Sequence, residues 1–257
     1  MKSPSNILVT GATSGFGAAI ARRFIAEGHR VIAAGRRAER LQALAAEVSG
    51  LSGGGRLHTV VLDVRDPPAV EAAIAELPAE FAAIDVLVNN AGLALGLKPA
   101  HEAELSDWEQ MIDTNIKGLV YVTRAVTPGM VERGRGHVIN IGSVAGEWPY
   151  PGGNVYGGTK AFVRQFSLNL RADFVGRGVR VSNVEPGMAE TEFSLVRYSG
   201  DAEKAAAIYA GTTPMTADDI AETVYWIASR PPHVNVNTIS LMPECQAFSP
   251  FAVKRKG

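Results

Sequence analysis

Short runs of apolar residues alternate along this chain with segments in which apolar residues recur every three or four positions. A continuous apolar run is typical of a buried strand, and the longer period is typical of a helix with one buried face. The pattern predicts strands at 7–10, 30–35, 57–62, 86–89, 137–141, 179–184 and 236–241. It predicts helices at 16–27, 37–48, 67–76, about 106–130, 155–174 and 217–228.

The regular alternation of strand and helix indicates the architecture. Strands that are apolar throughout need helices on both faces of a parallel sheet. No Pro- or Ser-rich linker divides the chain, so we expect one α/β domain over residues 1–257, a doubly wound parallel sheet of about seven strands. Such a sheet binds its ligand beyond the carboxyl ends of the strands. The Gly-rich stretch 50–55 is a predicted loop, and 187–214, which lacks a strong period, is expected to be mobile.

Composition and charge narrow the class of protein. The 257 residues are 46% hydrophobic and 20% charged, with a formal net charge of −1, which argues against nucleic acid or an anionic membrane as main partner. The basic run 254–256 is expected to be a solvated tail end. The first six residues lack an apolar signal region, and no stretch reaches the ~18 apolar residues of a membrane span. We therefore expect a soluble cytoplasmic protein.

Cysteine and histidine usage gives no sign of a disulfide or a metal site. The single cysteine, Cys245, rules out an intrachain disulfide and is expected to be structural. The histidines stand singly, without the spacing of metal ligands, so no metal is expected. They are His29, His58, His101, His137 and His233.

A glycine-rich turn follows the first predicted strand and opens the first predicted helix. Gly11 suits a tight turn, Gly15 lets the backbone approach a pyrophosphate, and Gly17 permits close packing of the helix. The helix end offers unpaired N–H groups and a positive dipole to phosphates. This context predicts a dinucleotide site whose turn residues are Gly11, Thr13, Ser14, Gly15, Phe16 and Gly17.

The end of the second predicted strand distinguishes between the two nicotinamide cofactors. An acidic residue there would bind the ribose 2′-hydroxyl of NAD and repel a 2′-phosphate. This chain instead has Arg36 and Arg37, which suit a phosphate and predict NADP, with Ser14 as a further contact. Alternatively, one arginine, more readily Arg37, merely begins the next helix. Asp63, with Val64 beside it, could accept from the adenine amino group or cap a helix.

Tyr156 and Lys160 lie one helical turn apart, after a lone serine, Ser143. A phenol has a pKa near ~10, too high for a base at neutral pH. An ammonium on the same helix face favours the phenolate and should lower that pKa, so that Tyr156 can exchange a proton with a hydroxyl or carbonyl group. The alternative is an ordinary exposed helix face.

Taken together, the motifs resemble those of the short-chain dehydrogenase/reductase family, in its order and spacing over nearly the whole chain. The resemblance implies a Rossmann-type sheet, NAD(P)-dependent oxidoreduction and a homotetramer. The matching pieces are Thr10 to Gly17, Asn89-Asn90-Ala91-Gly92, Asn115, Ser143, Tyr156-x-x-x-Lys160 and Pro186-Gly187.

The resemblance also implies roles for individual residues. The expected catalytic set is Asn115, Ser143, Tyr156 and Lys160: Ser143 holds the substrate oxygen, Lys160 also bonds the nicotinamide ribose, and Asn115 positions Lys160 through water. A lid at about 188–213 is expected to close over nicotinamide and substrate. The remaining expected cofactor contacts are Asn89, Ala91 and Gly92 beside the nicotinamide ribose, Pro186 and Gly187 under the nicotinamide, and Thr191 on its carboxamide or a phosphate.

Further segments resemble a narrower group, the bacterial NADP-dependent 3-hydroxy acid dehydrogenases, also described as serine dehydrogenase or malonic semialdehyde reductase. They are Phe16 in the glycine turn and the segments 92–96, 148–150, 152–156, 162–166, 191–193 and 241–243. The chain departs from the group at Met188-Ala189-Glu190, where a glycine pair and one more residue are expected before Thr191.

The narrower resemblance implies hydride transfer between NADP and a short 3-hydroxy acid or β-hydroxy amino acid, such as serine, allo-threonine or 3-hydroxypropionate. The substrate carboxylate needs a cationic partner; Arg197 is the first candidate, unless it is a solvated surface arginine. Arg164 and Gln165 are expected to serve packing or subunit contact. Two alternatives stay open: a reductase of 3-oxoacyl thioesters or diketones, and a non-catalytic NADP(H)-sensing regulator.

Overall fold

The computed structural model describes residues 4–50, 53–198 and 200–248. Within this part of the chain, seven strands form one sheet in the order β3-β2-β1-β4-β5-β6-β7, and every neighbouring pair is parallel. The predicted doubly wound α/β sheet is thereby confirmed. The strands are β1 Asn6–Thr10, β2 Arg30–Gly35, β3 Arg56–Val61, β4 Val86–Asn89, β5 Gly136–Ile141, β6 Val179–Pro186 and β7 Thr238–Leu241.

Helices connect the strands and cover both faces of the sheet. Side chains alternate across each strand, so Ile7 and Val9 enter one apolar cluster while Leu8 enters the other, and all three are buried. Parallel strands buried on both sides account for the continuous apolar runs of the sequence. The helices are α1 Gly15–Ala26, α2 Ala38–Val48, α3 Pro67–Ala75, α4 Leu105–Ile112, α5 Leu119–Glu132, α6 Asn154–Asp173, α7 Glu192–Arg197, α8 Ala202–Ala207 and α9 Ala217–Ser229.

Two expectations about helices are corrected. The helix predicted at about 106–130 is interrupted between α4 and α5 by a π turn, Asp113–Gly118. The segment without a visible period contains α7 and α8, whose six residues each are too few to show one. Their N-terminal amides are capped instead by the side chains of Thr191 and Asp201.

Smaller differences concern element ends and termini. β6 runs on to Pro186, beyond the predicted end of the strand, and β7 begins only at Thr238.

The basic run 254–256 and part of the predicted loop 50–55 lie outside the described residues. Cys245 is exposed, and its thiol donates to the Thr213 carbonyl at 3.6 Å. No helix in the described ranges combines the length and apolarity that crossing a membrane requires.

Candidate active site

The glycine turn after β1 lies at the carboxyl edge of the sheet and forms the floor of a groove. Gly11 has a φ of +67°, a conformation that side chains strain. A Cβ on Gly17 would stand 2.3 Å from the Gly11 carbonyl oxygen, so only glycine lets α1 pack this closely on the turn. The first turn of α1 has no side-chain cap, which leaves its amides available to an anion. Thr13, Ser14, Gly15 and Phe16 line the same groove.

Arg37 faces the groove, although it also precedes α2 as its N-cap residue. Its guanidinium donates to the hydroxyls of Thr13, at 3.0 and 3.2 Å, and of Ser14, at 2.8 Å. Arg36 lines the groove beside it. The two roles considered for Arg37, helix start and groove cation, therefore coexist in one residue.

Asp63 and Val64 line the groove at the end of β3. The Asp63 carboxylate accepts hydrogen bonds from the guanidinium and backbone of Arg65, and these bonds lower the pKa of Asp63. The helix-cap alternative for Asp63 is wrong, because Asp66 caps α3 by accepting from the Ala69 amide.

The segment after β4 lies across the groove from the glycine turn. Ala91 and Gly92 line the groove, but Asn89 does not: its buried amide donates to Thr123 and Asn140, each at 2.9 Å. The expectation that Asn89 borders the groove is therefore corrected. Asn90 takes that place and bonds the carbonyls of Thr10 and Gly11, which fastens the segment to the turn.

Asn115 lies inside the π turn and is buried. Its amide nitrogen donates to the Leu93 carbonyl at 2.8 Å and to the Thr159 hydroxyl at 3.1 Å, and its amide oxygen accepts from the Leu93 amide at 2.9 Å. Asn115 thus joins the segment after β4 to α6, one residue before Lys160. The extra residue of a π turn is often associated with functional sites.

Tyr156 projects from α6 into a buried position beside Ser143. Burial raises the pKa of the phenol to about 12, while the hydrogen bond with Ser143 and the charge of Arg197 act in the opposite direction. Ser143 follows β5 and accepts from the Ala145 amide at 3.1 Å. At neutral pH the phenol is therefore protonated in this structure.

The pKa of Tyr156 is raised in this structure, whereas the sequence predicts that Lys160 lowers it. Its ammonium donates to the Ile141 carbonyl at 2.8 Å and lies 5.9 Å from the centre of the Tyr156 ring. Burial lowers the pKa of Lys160 to about 8, since the charged form loses hydration. Lys160 and Tyr156 both line the groove, as do Pro186, Gly187 and Thr191.

A second cavity opens on the other side of Tyr156. It shares five lining residues with the groove, namely Ser143, Tyr156, Gly187, Ala189 and Phe193. Arg197, the last residue of α7, lines this chamber; its guanidinium donates to the Tyr150 hydroxyl, and its central carbon lies 5.5 Å from the centre of the Tyr156 ring. The Nε of Arg197 is buried without a hydrogen-bond partner among the described residues. Arg197 is therefore not a solvated surface arginine.

Comparison with known proteins shows the family of this chain. The model of the short chain dehydrogenase family matches residues 5–200. The chain belongs to the short chain dehydrogenase family. It is 62% identical over 250 residues to the NADP-dependent 3-hydroxy acid dehydrogenase YdfG of Salmonella typhi, covering 97% of this chain and 99% of the relative.

Two further relatives of this short chain dehydrogenase are similar over nearly their full length. Serine 3-dehydrogenase of Agrobacterium fabrum is 56% identical over 250 residues, 97% of this chain and 98% of the relative. A solved closed form of serine dehydrogenase complexed with NADP+ superposes with a TM-score of 0.93 at 58% identity, covering 97% of this chain and 99% of that structure.

Sequence reasoning misses the far wall of the chamber in this short chain dehydrogenase. Gln246 accepts from the Met188 amide at 2.6 Å, and the Phe248 ring packs on Trp148 with centroids 4.6 Å apart. These contacts join residues about 60 to 100 positions apart. No local pattern signals these contacts, although Met188 and Trp148 lie in segments that the sequence analysis singles out.

A buried charge network is also missed. Glu185, 1% exposed on β6, lies 3.6 Å from the Arg164 guanidinium, which pairs with Glu147 at 2.7 Å. Arg164 thus links α6 to β6 and to the loop after Ser143. Burial raises the pKa of Glu185, while Arg164 acts against that rise. Arg164 therefore has a contact within the subunit, beside the packing role expected for it.

Proposed function

We propose that this protein is an NADP-dependent oxidoreductase that transfers a hydride between the nicotinamide and a short 3-hydroxy acid or β-hydroxy amino acid. One observation carries the proposal. Ser143 and Tyr156 belong to the wall shared by two cavities, a groove with a glycine turn as its floor and arginines at one end, and a chamber lined by Arg197. A dinucleotide in the first and a hydroxy acid in the second would meet at the phenol.

The residues of the groove fit NADP. The uncapped first turn of α1 suits the pyrophosphate, and Arg36, Arg37 and Ser14 suit the 2′-phosphate. When bound, NADP supplies the hydride acceptor of the reaction. Similar proteins support NADP as the cofactor, because YdfG is an NADP-dependent enzyme and a serine dehydrogenase structure contains NADP+.

Proton transfer falls to Tyr156. In reduction, the protonated phenol donates its proton to the substrate oxygen that gains charge, and in oxidation the phenolate removes the hydroxyl proton. Ser143 orients that oxygen through its hydroxyl. The charge of the Lys160 ammonium, which also bonds the Ile141 carbonyl, favours the phenolate. Asn115 holds the surrounding backbone in place.

Arg197 orients the substrate through its carboxylate. Its buried, unpartnered Nε offers a charge-assisted hydrogen bond. The described lining of the chamber contains no carboxylate side chain. A 3-hydroxy acid therefore matches the chamber in charge, whereas the ammonium of serine finds no counter-ion there. This favours the 3-hydroxy acid over the amino acid.

The proposal includes a lid at about 188–213 and a cytoplasmic homotetramer. α7 and α8 lie within the lid, and Thr191 and Phe193 line the groove from it. Exposed apolar side chains, Leu168 on α6 and Trp226 on α9, suit contacts between subunits. Light scattering after gel filtration tests the assembly.

The alternatives receive less support. Aromatic side chains line the chamber, among them Trp148, Tyr150, Phe193 and Phe248, and they leave less room beside Tyr156 for a bulky 3-oxoacyl thioester. A sensor of NADP(H) has no need of a buried tyrosine and lysine beside each other. Both alternatives predict no turnover of short hydroxy acids.

The test is the initial rate of NADP and NAD reduction with 3-hydroxypropionate, L-serine and L-allo-threonine, followed at the nicotinamide absorbance. We expect turnover with NADP, little with NAD, and the highest kcat/KM for 3-hydroxypropionate. Tight NADPH binding without turnover of any of the three would overturn the proposed substrate class.

A further inference from the structure

Helix α7 bridges the two cavities. Its first residue, Glu192, lines the groove beside the arginines, and its last residue, Arg197, lines the chamber. Six residues of helix span about 9 Å, so one short helix connects the two cavities. We therefore expect a displacement at one end of α7 to reach the other end.

Glu192 is attached to the arginine cluster that follows β2. Its carboxylate lies 3.3 Å from the Arg40 guanidinium and 3.5 Å from that of Arg37. Arg37 simultaneously donates to Thr13 and Ser14. Glu192 therefore forms an ion pair with Arg37, the residue that is also proposed to bind the cofactor 2′-phosphate.

We propose that Glu192 is a specificity residue that latches α7 onto the arginine cluster and competes with the cofactor 2′-phosphate for Arg37. This inference rests on the proposed function. Two anions that share one guanidinium repel each other, so the carboxylate weakens binding of a 2′-phosphorylated cofactor and leaves NAD unaffected. The same carboxylate holds α7, and hence Arg197, in position against the chamber.

These two roles predict effects of opposite sign when the charge is removed. In Glu192→Gln, the dissociation constant of NADP should fall about 3- to 10-fold at low salt, that of NAD should stay the same, and KM for 3-hydroxypropionate should rise several-fold. Glu190→Gln is the matched control, since Glu190 is exposed two residues away and does not line the groove. Glu190→Gln should change neither of the two dissociation constants nor KM for 3-hydroxypropionate.

A second variant separates the two roles. Arg40→Met removes one partner of the latch and leaves Arg37 in place, so KM for the acid should rise without tighter NADP binding. Dissociation constants come from fluorescence titration with NADP and NAD at 20 and 200 mM salt, and the melting temperature of each variant reports folding.

The outcomes distinguish this inference from the proposed function. Equal changes for NADP and NAD in Glu192→Gln, or tighter NADP binding with an unchanged KM, would overturn the latch while the wild-type enzyme still turns over. A wild-type protein that binds neither cofactor would overturn the proposed function itself, and with it the latch.

Discussion

The groove and the chamber are built in different ways, although they meet at Tyr156. The groove takes its shape from backbone: glycines at the end of β1, the free amides of α1, and short segments after β2, β3 and β4. The chamber takes its shape from side chains of four distant segments, around 143–156, 187–197, 208–209 and 242–248. Backbone geometry is specified by short local motifs, whereas a side-chain chamber depends on how remote segments pack.

The largest effect is expected for Tyr156, where a substitution should impair catalysis but leave cofactor binding intact. Tyr156→Phe should lower kcat by about 10²- to 10⁴-fold, because it removes the proton donor and acceptor. The dissociation constant of NADP should stay within a factor of two, since the groove is otherwise intact. Stopped-flow turnover and fluorescence titration measure the two quantities. Appreciable turnover in this variant would remove Tyr156 from the mechanism.

A substitution of Lys160 tests how much the buried charge beside the groove lowers the stability of the fold. Its folded pKa of about 8 lies below the ordinary 10.5, so below pH 8 the buried ammonium destabilises the fold by roughly 3 kcal/mol. Between pH 8 and 10.5 the unfolded chain holds the proton that the folded chain releases, and the penalty disappears as pH rises. Lys160→Met should therefore be more stable than wild type at pH 6.5 and gain much less at pH 10.

Denaturant unfolding of Lys160→Met and of the wild type at both pH values measures this difference in stability. A turnover assay measures the accompanying loss of activity in the variant. Lys117→Met, a change at a half-exposed lysine paired with Asp113, is the control. It should show no such dependence on pH. A Lys160→Met gain that is the same at pH 6.5 and 10 would contradict the buried charge.

Arg197 tests the chamber side alone. Arg197→Met should raise KM for 3-hydroxypropionate about 10- to 100-fold, the worth of a charge-assisted hydrogen bond. KM for 1,3-propanediol, which has no carboxylate, should change much less. Steady-state assays of wild type and variant compare KM for the two substrates. Equal increases in both values would exclude Arg197 from carboxylate binding.

Gly17 tests the backbone origin of the groove and has the smallest expected effect. A Cβ there meets the Gly11 carbonyl, so Gly17→Ala should lower the free energy of unfolding by about 1–3 kcal/mol and weaken NADP binding. Gly158→Ala on α6 is the control, because its Cβ meets nothing within 4 Å and a helix gains up to about 1 kcal/mol. A tolerated Gly17→Ala would mean that the turn shifts freely.

The contrast between the two cavities also explains which sequence predictions succeed. Strand and helix positions follow from apolar periodicity, and the parallel sheet follows from their alternation, whereas the strand order comes from the pairing in the structure. Asn89 shows the limit: it belongs to a family motif, yet its side chain points to Thr123 and Asn140, while its neighbour Asn90 faces the groove. A motif locates a segment, but side-chain direction depends on the strand pleat and the neighbouring helix.

The sequence by itself determined the doubly wound sheet, the glycine turn, the arginines that follow β2, and the spacing of Tyr156 and Lys160, because each is encoded within a few consecutive residues. Only the tertiary structure decided the direction of the Tyr156 pKa shift, the hydrogen bond of Lys160 to Ile141, the contact between Trp148 and Phe248, and the ion pairs of Glu192. The physical reason is that burial and charge pairing arise from residues far apart in the chain, which no local pattern brings together.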